Sequence, residues 1–191
     1  MQNFNEKQSD IFGVMHRGLR DLYDYAYRLH DWSKVNFGNL DLELADVKLL
    51  QMVTNLKSLL QEDLTDKKLT LTLSIPESVI IHVDEPFFKN AIQNVLNNAI
   101  KFSHSGAEIL ISAIQENKRT TIEITDTGLG IPERFKKTIF EYKHKQSSKG
   151  TKGEKGAGIG LTVVKRIIDL HKGEIHIESV EGKGTKVSIT L

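Results

Sequence analysis

The 191-residue chain contains no cysteine. That excludes disulfides, thiol nucleophiles and cysteine-bound metal centres, and it fits a reducing compartment. No apolar run approaches the roughly 20 residues of a membrane-spanning helix. The opening "MQNFNEKQSD" is polar and lacks the apolar core of a secretory signal. No HExxH or comparable histidine spacing marks a metal site. No charge excess is present either: 26 Lys and Arg face 25 Asp and Glu, for a net charge of +1. Nothing global therefore points to nucleic acid or to a membrane surface. The expected compartment is the cytoplasm, with membrane anchoring of a parent protein left open.

What is present begins with a proline-free stretch over 4–36. Phe12, Met15, Leu19, Leu22, Ala26 and Leu29 form a heptad seam, which needs a partner helix. Gly38 ends it. Asp46 is positioned to cap a second helix reaching about Leu64. Strands are expected at 68–75, 78–83, 108–114, 120–125, 174–179 and 184–191, and helices at 85–102 and 159–171, with Gly173 as a helix stop. This mixed order predicts an α+β fold: a two-layer α/β sandwich whose mixed sheet is covered by helices on one face, behind a long N-terminal helix. The expected division is a helix over 1–37, a linker over 38–45 and a globular domain over 46–191.

The helix at 85–102 has two faces. Phe88, Ala91, Ile92, Val95 and Ala99 make an apolar stripe. Asn90, Asn94, Asn97, Asn98 and Lys101 occupy the opposite face. Asparagine is a poor helix former, so such a stripe weakens the helix unless it serves a ligand. A carboxamide offers an oxygen to a hard cation and an N–H to a phosphate. Asp126 opens "DTGLGI" at a strand end, and "GAGIGL" (156–161) opens a helix whose free N–H groups suit an anion. Between them lies "PERFKKTIFEYKHKQSSKGTKGEK", a lysine-rich segment with few core residues. A nucleotide with a divalent metal, beneath a basic cover, accounts for all three.

"NVLNNAIKFS" (94–103), "DTGLGI", "GAGIGL" and "GKGT" (182–185) resemble the N box and glycine boxes of the histidine-kinase catalytic and ATP-binding domain. Its superfamily includes gyrase, a heat-shock chaperone and mismatch-repair ATPases. The resemblance covers about 40–191. It implies a sandwich that binds ATP and Mg²⁺ under a lid, here 132–158. It implies that Asp126 receives the adenine amino group, that Gly128 and Gly130 give the ligand room, and that Thr185 joins the adenine network through water. Phe102 would pack on adenine. Asn98 would bind Mg²⁺ with Asn94 assisting, and Lys101 would contact phosphate. Gly156, Gly158, Gly160 and Leu161 would form the lid hinge and the phosphate-facing helix start.

Hydrolytic relatives carry glutamate where this chain has Asn94, a weak base, so the resemblance implies phosphoryl transfer rather than efficient hydrolysis. The implied partners are a histidine-bearing hairpin, in cis or in trans, a response-regulator receiver domain, and a second copy joined through the N-terminal helix. Only one long helix precedes the linker, so the acceptor helix is expected to be absent. His16 and His30 read as surface histidines, since His16 is followed by Arg17 where the family has an acid. In the lid, Phe140 matches the family's phenylalanine-rich motif, but the following proline and second phenylalanine do not. Two other readings remain: a non-catalytic ATP-binding regulatory or dimerisation module, and a serine kinase of the same superfamily acting on a partner protein.

Overall fold

A computed structural model of the chain describes residue 15 and residues 41–117, 119–141, 149–154 and 158–191. The chain divides into two compact units, Met1–Asn39 and Leu40–Leu191. The helix expected over 4–36, with His16, His30 and the Gly38 stop, lies outside the described residues apart from Met15, which is helical and exposed. Gly156 and much of the lysine-rich segment also lie outside them.

The second unit is an α+β fold built on a mixed sheet. Strands β1 (Ala45–Lys48) and β3 (Ile80–Val83) pair antiparallel as a separate ribbon. The main sheet has five strands: β2 (Thr70–Ser74), β4 (Glu108–Glu116), β5 (Arg119–Asp126), β6 (Glu174–Val180) and β7 (Gly184–Thr190), in the order β2-β4-β5-β7-β6. Among the described residues only the β2–β4 pair is parallel. The helices are α1 (Leu49–Leu59), α2 (Gln61–Asp66), α3 (Glu85–Phe102), the single turn α4 (Glu133–Lys136) and α5 (Gly160–Leu170).

Alternation along the strands places most of their apolar residues on one face. Register then lines them up in rows. Ala113, Ile122, Ile189 and Ile175 form one row, and Ile111, Ile124, Val187 and Ile177 the next. Against this face lie the buried stripes of α3 (Phe88, Ala91, Ile92, Val95, Leu96, Ala99, Ile100) and α5 (Val163, Val164, Ile167, Ile168). On the opposite face Leu110 and Ile114 are exposed.

Local chemistry explains the ends of α3. Asp84 caps it, accepting the Phe87 N–H at 3.2 Å, and Pro86 sits in the first turn where its missing N–H costs nothing. Asp84 is more than a cap. Its Oδ2 accepts the Glu43 N–H at 3.0 Å, and its own N–H donates to His171 Nε2 at 3.0 Å. The His171 Nδ1–H points to the Ile167 carbonyl, and its ring meets Phe88 edge-on.

Two expectations are corrected. Asp46 does not cap a helix; it lies in β1, with its carboxylate 2.8 Å from His82 Nδ1. Pairing with β3 claims 45–48, so the helix starts at Leu49 and breaks at Leu60 before α2. At the end of α5 the left-handed residue is Lys172 (φ 58°), one position before Gly173.

Candidate nucleotide site

The rows across the sheet end in a polar one. Beyond Ile111–Ile124–Val187–Ile177 comes Ile109–Asp126–Thr185–Ser179. Three adjacent strands thus each put a polar side chain on an otherwise apolar face. Asp126 is 9% exposed. Burial raises its pKa above the usual aspartate value, and the Gly128 and Thr185 backbone N–H groups only partly offset that. Its Oδ1 accepts the Gly128 N–H at 2.9 Å.

The loop after Asp126 docks on the end of α3. Leu129 N donates to the Phe102 carbonyl at 3.0 Å. Gly128 permits this approach: a Cβ there would lie 2.8 Å from Phe102 C and 3.0 Å from Asp126 Oδ1. The loop then closes onto the β6–β7 turn. Gly182 N donates to Leu129 O at 2.7 Å, and Ile131 N donates to Ser179 Oγ at 2.8 Å. A cavity of about 240 Å³ lies at the edge of these strand ends, lined by Asp126, Ser179 and Thr185 together with Thr125, Glu178 and Lys186 of the outward row, and it does not reach Phe102 or the asparagine face.

The asparagine face of α3 leads away from Phe102. Asn90, Asn94, Asn97, Asn98 and Lys101 are all half-buried. Asn94 Nδ2 donates to the Asn90 carbonyl (3.0 Å) and to Asn90 Oδ1 (2.6 Å). That commits the Asn94 amide and turns its Oδ1 toward α5, where a Cβ on Gly160 would lie 3.1 Å away. Among the described residues no side chain caps the first turn of α5, which leaves its N–H groups for an anion. Thr162 Oγ1, in that turn, is buried without a partner. Lys101 Nζ lies over the Phe102 ring, 4.7 Å from its centroid. It is therefore placed toward the Asp126 end of the site rather than the Asn94 end.

Most residues singled out in the sequence are thus brought together. At one end the Gly128–Leu129 loop meets the Phe102 backbone, and Asp126 pairs with Thr185 across β5–β7. Asn94 meets Gly160 and the start of α5 at the other, with Asn98 and Lys101 on the helix between. Leu161 follows Gly160 in the same turn, Gly158 precedes it with φ 73°, and Gly130 lies in the docked loop with φ 65°. Among the described residues no three His, Asp or Glu side chains gather to hold a metal. The neutral oxygens of Asn94 and Asn98 suit a hard cation that brings its own anionic ligands, as Mg²⁺ on a triphosphate does.

The model of the histidine kinase-, DNA gyrase B- and HSP90-like ATPase family matches residues 83–191. The chain belongs to this ATPase family. Among its relatives, the sensor histidine kinase YclK of Bacillus subtilis (strain 168) is 33% identical over 97% of this chain and 39% of its own length. The crystal structure of full-length ShkA in complex with AMPPNP superposes with a TM-score of 0.77 at 20% identity, over 99% of this chain and 39% of that one. The histidine kinase ThkA in complex with the response regulator protein TrrA gives 0.73 at 18% identity, over 100% of this chain and 52% of that one. The two structures establish the shared fold. The chain spans well under two thirds of each of these relatives.

Sequence reasoning missed two groups of this ATPase domain. Ser179 closes the strand expected at 174–179. Lys67, which no motif in the sequence singles out, is 5% exposed at its side chain. Its Nζ donates to the carbonyls of Ile100 and Lys101 and to Thr151 Oγ1, each at 2.8 Å. Thr151 N in turn donates to the Lys101 carbonyl. The residues at 149–154, within the expected lid, are thereby tied to the end of α3. No local pattern in the sequence signals either group.

Proposed function

We propose that this chain is the ATP-binding catalytic part of a two-component sensor histidine kinase. The observation that carries the reading is the convergence on α3. Its asparagine face runs from the uncapped start of α5, at Asn94, to the Asp126 loop docked on Phe102. One end suits a polyphosphate and the other a base with an exocyclic amino group. The AMPPNP held by ShkA and the kinase name of YclK support the same ligand and activity.

In this reading Asp126 accepts the adenine amino group, with Thr185 joining through water and Phe102 packing on the ring. Gly128 and Gly130 let the backbone come close. Asn98, with Asn94, would hold Mg²⁺, which supplies charge neutralisation at the phosphates. Lys101 would leave the Phe102 ring to meet phosphate. The start of α5, from Gly158 through Gly160 and Leu161, would receive the phosphate oxygens. The bond from the γ-phosphorus to its bridging oxygen breaks, ADP departs, and a P–N bond forms to a histidine that gives up its proton. Positioning and charge neutralisation carry such a transfer. Asn94 makes a poor base for activating water, which disfavours hydrolysis.

The acceptor histidine would come from a hairpin helix, in cis or in trans, with 1–37 as the remnant of a dimerisation hairpin. Residues 38–45 would serve as linker, 46–191 as the layered ATP domain and 132–158 as lid. A response-regulator receiver domain would take the phosphoryl group, as the pairing of ThkA with TrrA suggests. The expected setting is the cytoplasm; among the described residues no helix is long and apolar enough to cross a membrane.

The test is incubation with γ-labelled ATP and Mg²⁺, with and without an added histidine-bearing hairpin, beside a direct ATP titration. Label on the hairpin is the expected result. ATP binding without any label supports a regulatory module instead. Absence of ATP binding overturns the reading.

A further inference from the structure

Ser179 is 8% exposed and its hydroxyl has three partners. Ile131 N lies 2.8 Å away, the Gly184 carbonyl 2.8 Å and Thr185 Oγ1 2.9 Å. The protons at this hub can be assigned. Ile131 N–H only donates, so Ser179 Oγ accepts from it. The Gly184 carbonyl only accepts, so the single hydroxyl proton of Ser179 goes there. The remaining contact is with Thr185. Ser179 has no second proton to give, so Thr185 must donate to Ser179.

The consequence falls on Thr185. Its hydroxyl proton is committed sideways, into the β6–β7 pair, leaving Thr185 Oγ1 with lone pairs alone to offer any ligand. Asp126, directly opposite Thr185 across β5–β7, also offers oxygens. Ser179 stands on the far side of Thr185 in the same row.

We propose that Ser179 is a positioning residue that fixes the Thr185 hydroxyl proton, making the Asp126–Thr185 wall acceptor-only and selective for a 6-amino over a 6-oxo purine. This rests on the ATP reading above. Adenine carries a donor at position 6, matched directly or by a water that gives both its protons to Asp126 and Thr185 and so keeps only lone pairs for the base. Hypoxanthine and guanine carry a carbonyl there, which sets acceptor against acceptor. A Thr185 hydroxyl free to rotate could turn its proton to that carbonyl and weaken the discrimination.

The test compares affinities for ATP and inosine triphosphate, which differ in the 6-substituent and the protonation of N1. The wild-type chain should prefer ATP. Ser179→Ala should cut the ATP-to-inosine-triphosphate ratio roughly five- to tenfold, the scale of one neutral hydrogen bond. Ser179→Thr keeps a hydroxyl and should keep the ratio. Combining Ser179→Ala with Thr185→Val should give no further loss beyond Thr185→Val alone, because the effect acts through Thr185. If Ser179→Ala fails to fold, the near-isosteric Ser179→Cys, a weak hydrogen-bonding group, should move the ratio the same way. Equal weakening of both nucleotides in these variants, with the ratio unchanged, would make Ser179 a packing residue and overturn the proposal. A wild-type chain that binds neither nucleotide would instead overturn the ATP reading itself.

Discussion

Lys67 Nζ lies 2.6 Å from Glu154 Oε1. The pair joins the α2–β2 turn to the segment between the two glycine-rich hexamers, and the same ammonium holds two carbonyls at the end of α3. Partial burial pushes the Glu154 pKa up. The Lys67 hydrogen bond and nearby backbone N–H groups outweigh it, leaving the carboxyl below its usual 4.5. A carboxylate with a depressed folded pKa stabilises the fold above its unfolded pKa and loses that contribution as pH falls through the folded value.

Lys67→Met should destabilise the domain by about 1–3 kcal/mol, since buried carbonyls lose their donor. Glu154→Gln should cost less, because Glu154 is 36% exposed and water screens the pair. The two effects should not add. Urea titrations at neutral pH check the ranking. Repeated below pH 4.5, they should show the wild type and Glu154→Gln converging as Glu154 protonates.

Asp126→Asn should separate stability from binding. The folded pKa of Asp126 is raised, so its ionised form is disfavoured by the fold. Stability tied to this group is lost as pH climbs from its unfolded value through the folded one. Asparagine keeps an Oδ1 for the Gly128 N–H and carries no charge. The variant should match or exceed the wild-type Tm at neutral pH, with a gap that narrows in acid. Its ATP affinity should drop roughly tenfold or more, the scale of a hydrogen bond to a charged group. Calorimetric unfolding and ATP titration read the two effects independently.

Asn98→Ala should also trade ligand for fold. Alanine is the better helix former by about 0.5 kcal/mol. The helix should therefore gain slightly while ATP affinity loses much of its dependence on Mg²⁺. Titrations with Mg²⁺ and with chelator measure the difference; an unaltered Mg²⁺ dependence would remove Asn98 from the metal assignment.

Gly128→Ala places a methyl against the backbone of Phe102, which cannot swing away as a side-chain tip could. The Leu129–Phe102 hydrogen bond should lengthen or break. A cost of about 1–3 kcal/mol is expected from such overpacking, with ATP affinity falling as the Asp126 loop lifts. Hydrogen exchange at the Leu129 amide reports the loop directly.

Helix α3 was legible in the sequence end to end, because its two opposed stripes act within one element. The glycine hexamers and Asp126 were legible for the same reason. Strand β1 was not: Asp46 looks like a cap until Ile80–Val83 arrives to pair with it. The break at Leu60 interrupts an apolar stripe that reads as continuous. Lys67 and Ser179 show the deeper limit. Their surroundings are assembled from segments remote in the chain, so no window around either residue contains its partners.

The pairing of Asp126 with Thr185 has a kinetic consequence. Those strands are joined through α4, the lysine-rich segment, α5 and all of β6, so their contact is among the more distant in sequence that the sheet makes. Contacts of that kind close a large loop before they return any stabilisation, and they tend to form late. The Asp126–Thr185 pair is therefore expected to be among the last parts assembled as the chain folds. A nascent or partly folded chain would display the asparagine face of α3 before Asp126 and Thr185 had met, so protection of the paired β5–β7 amides would serve as a readout that folding is complete.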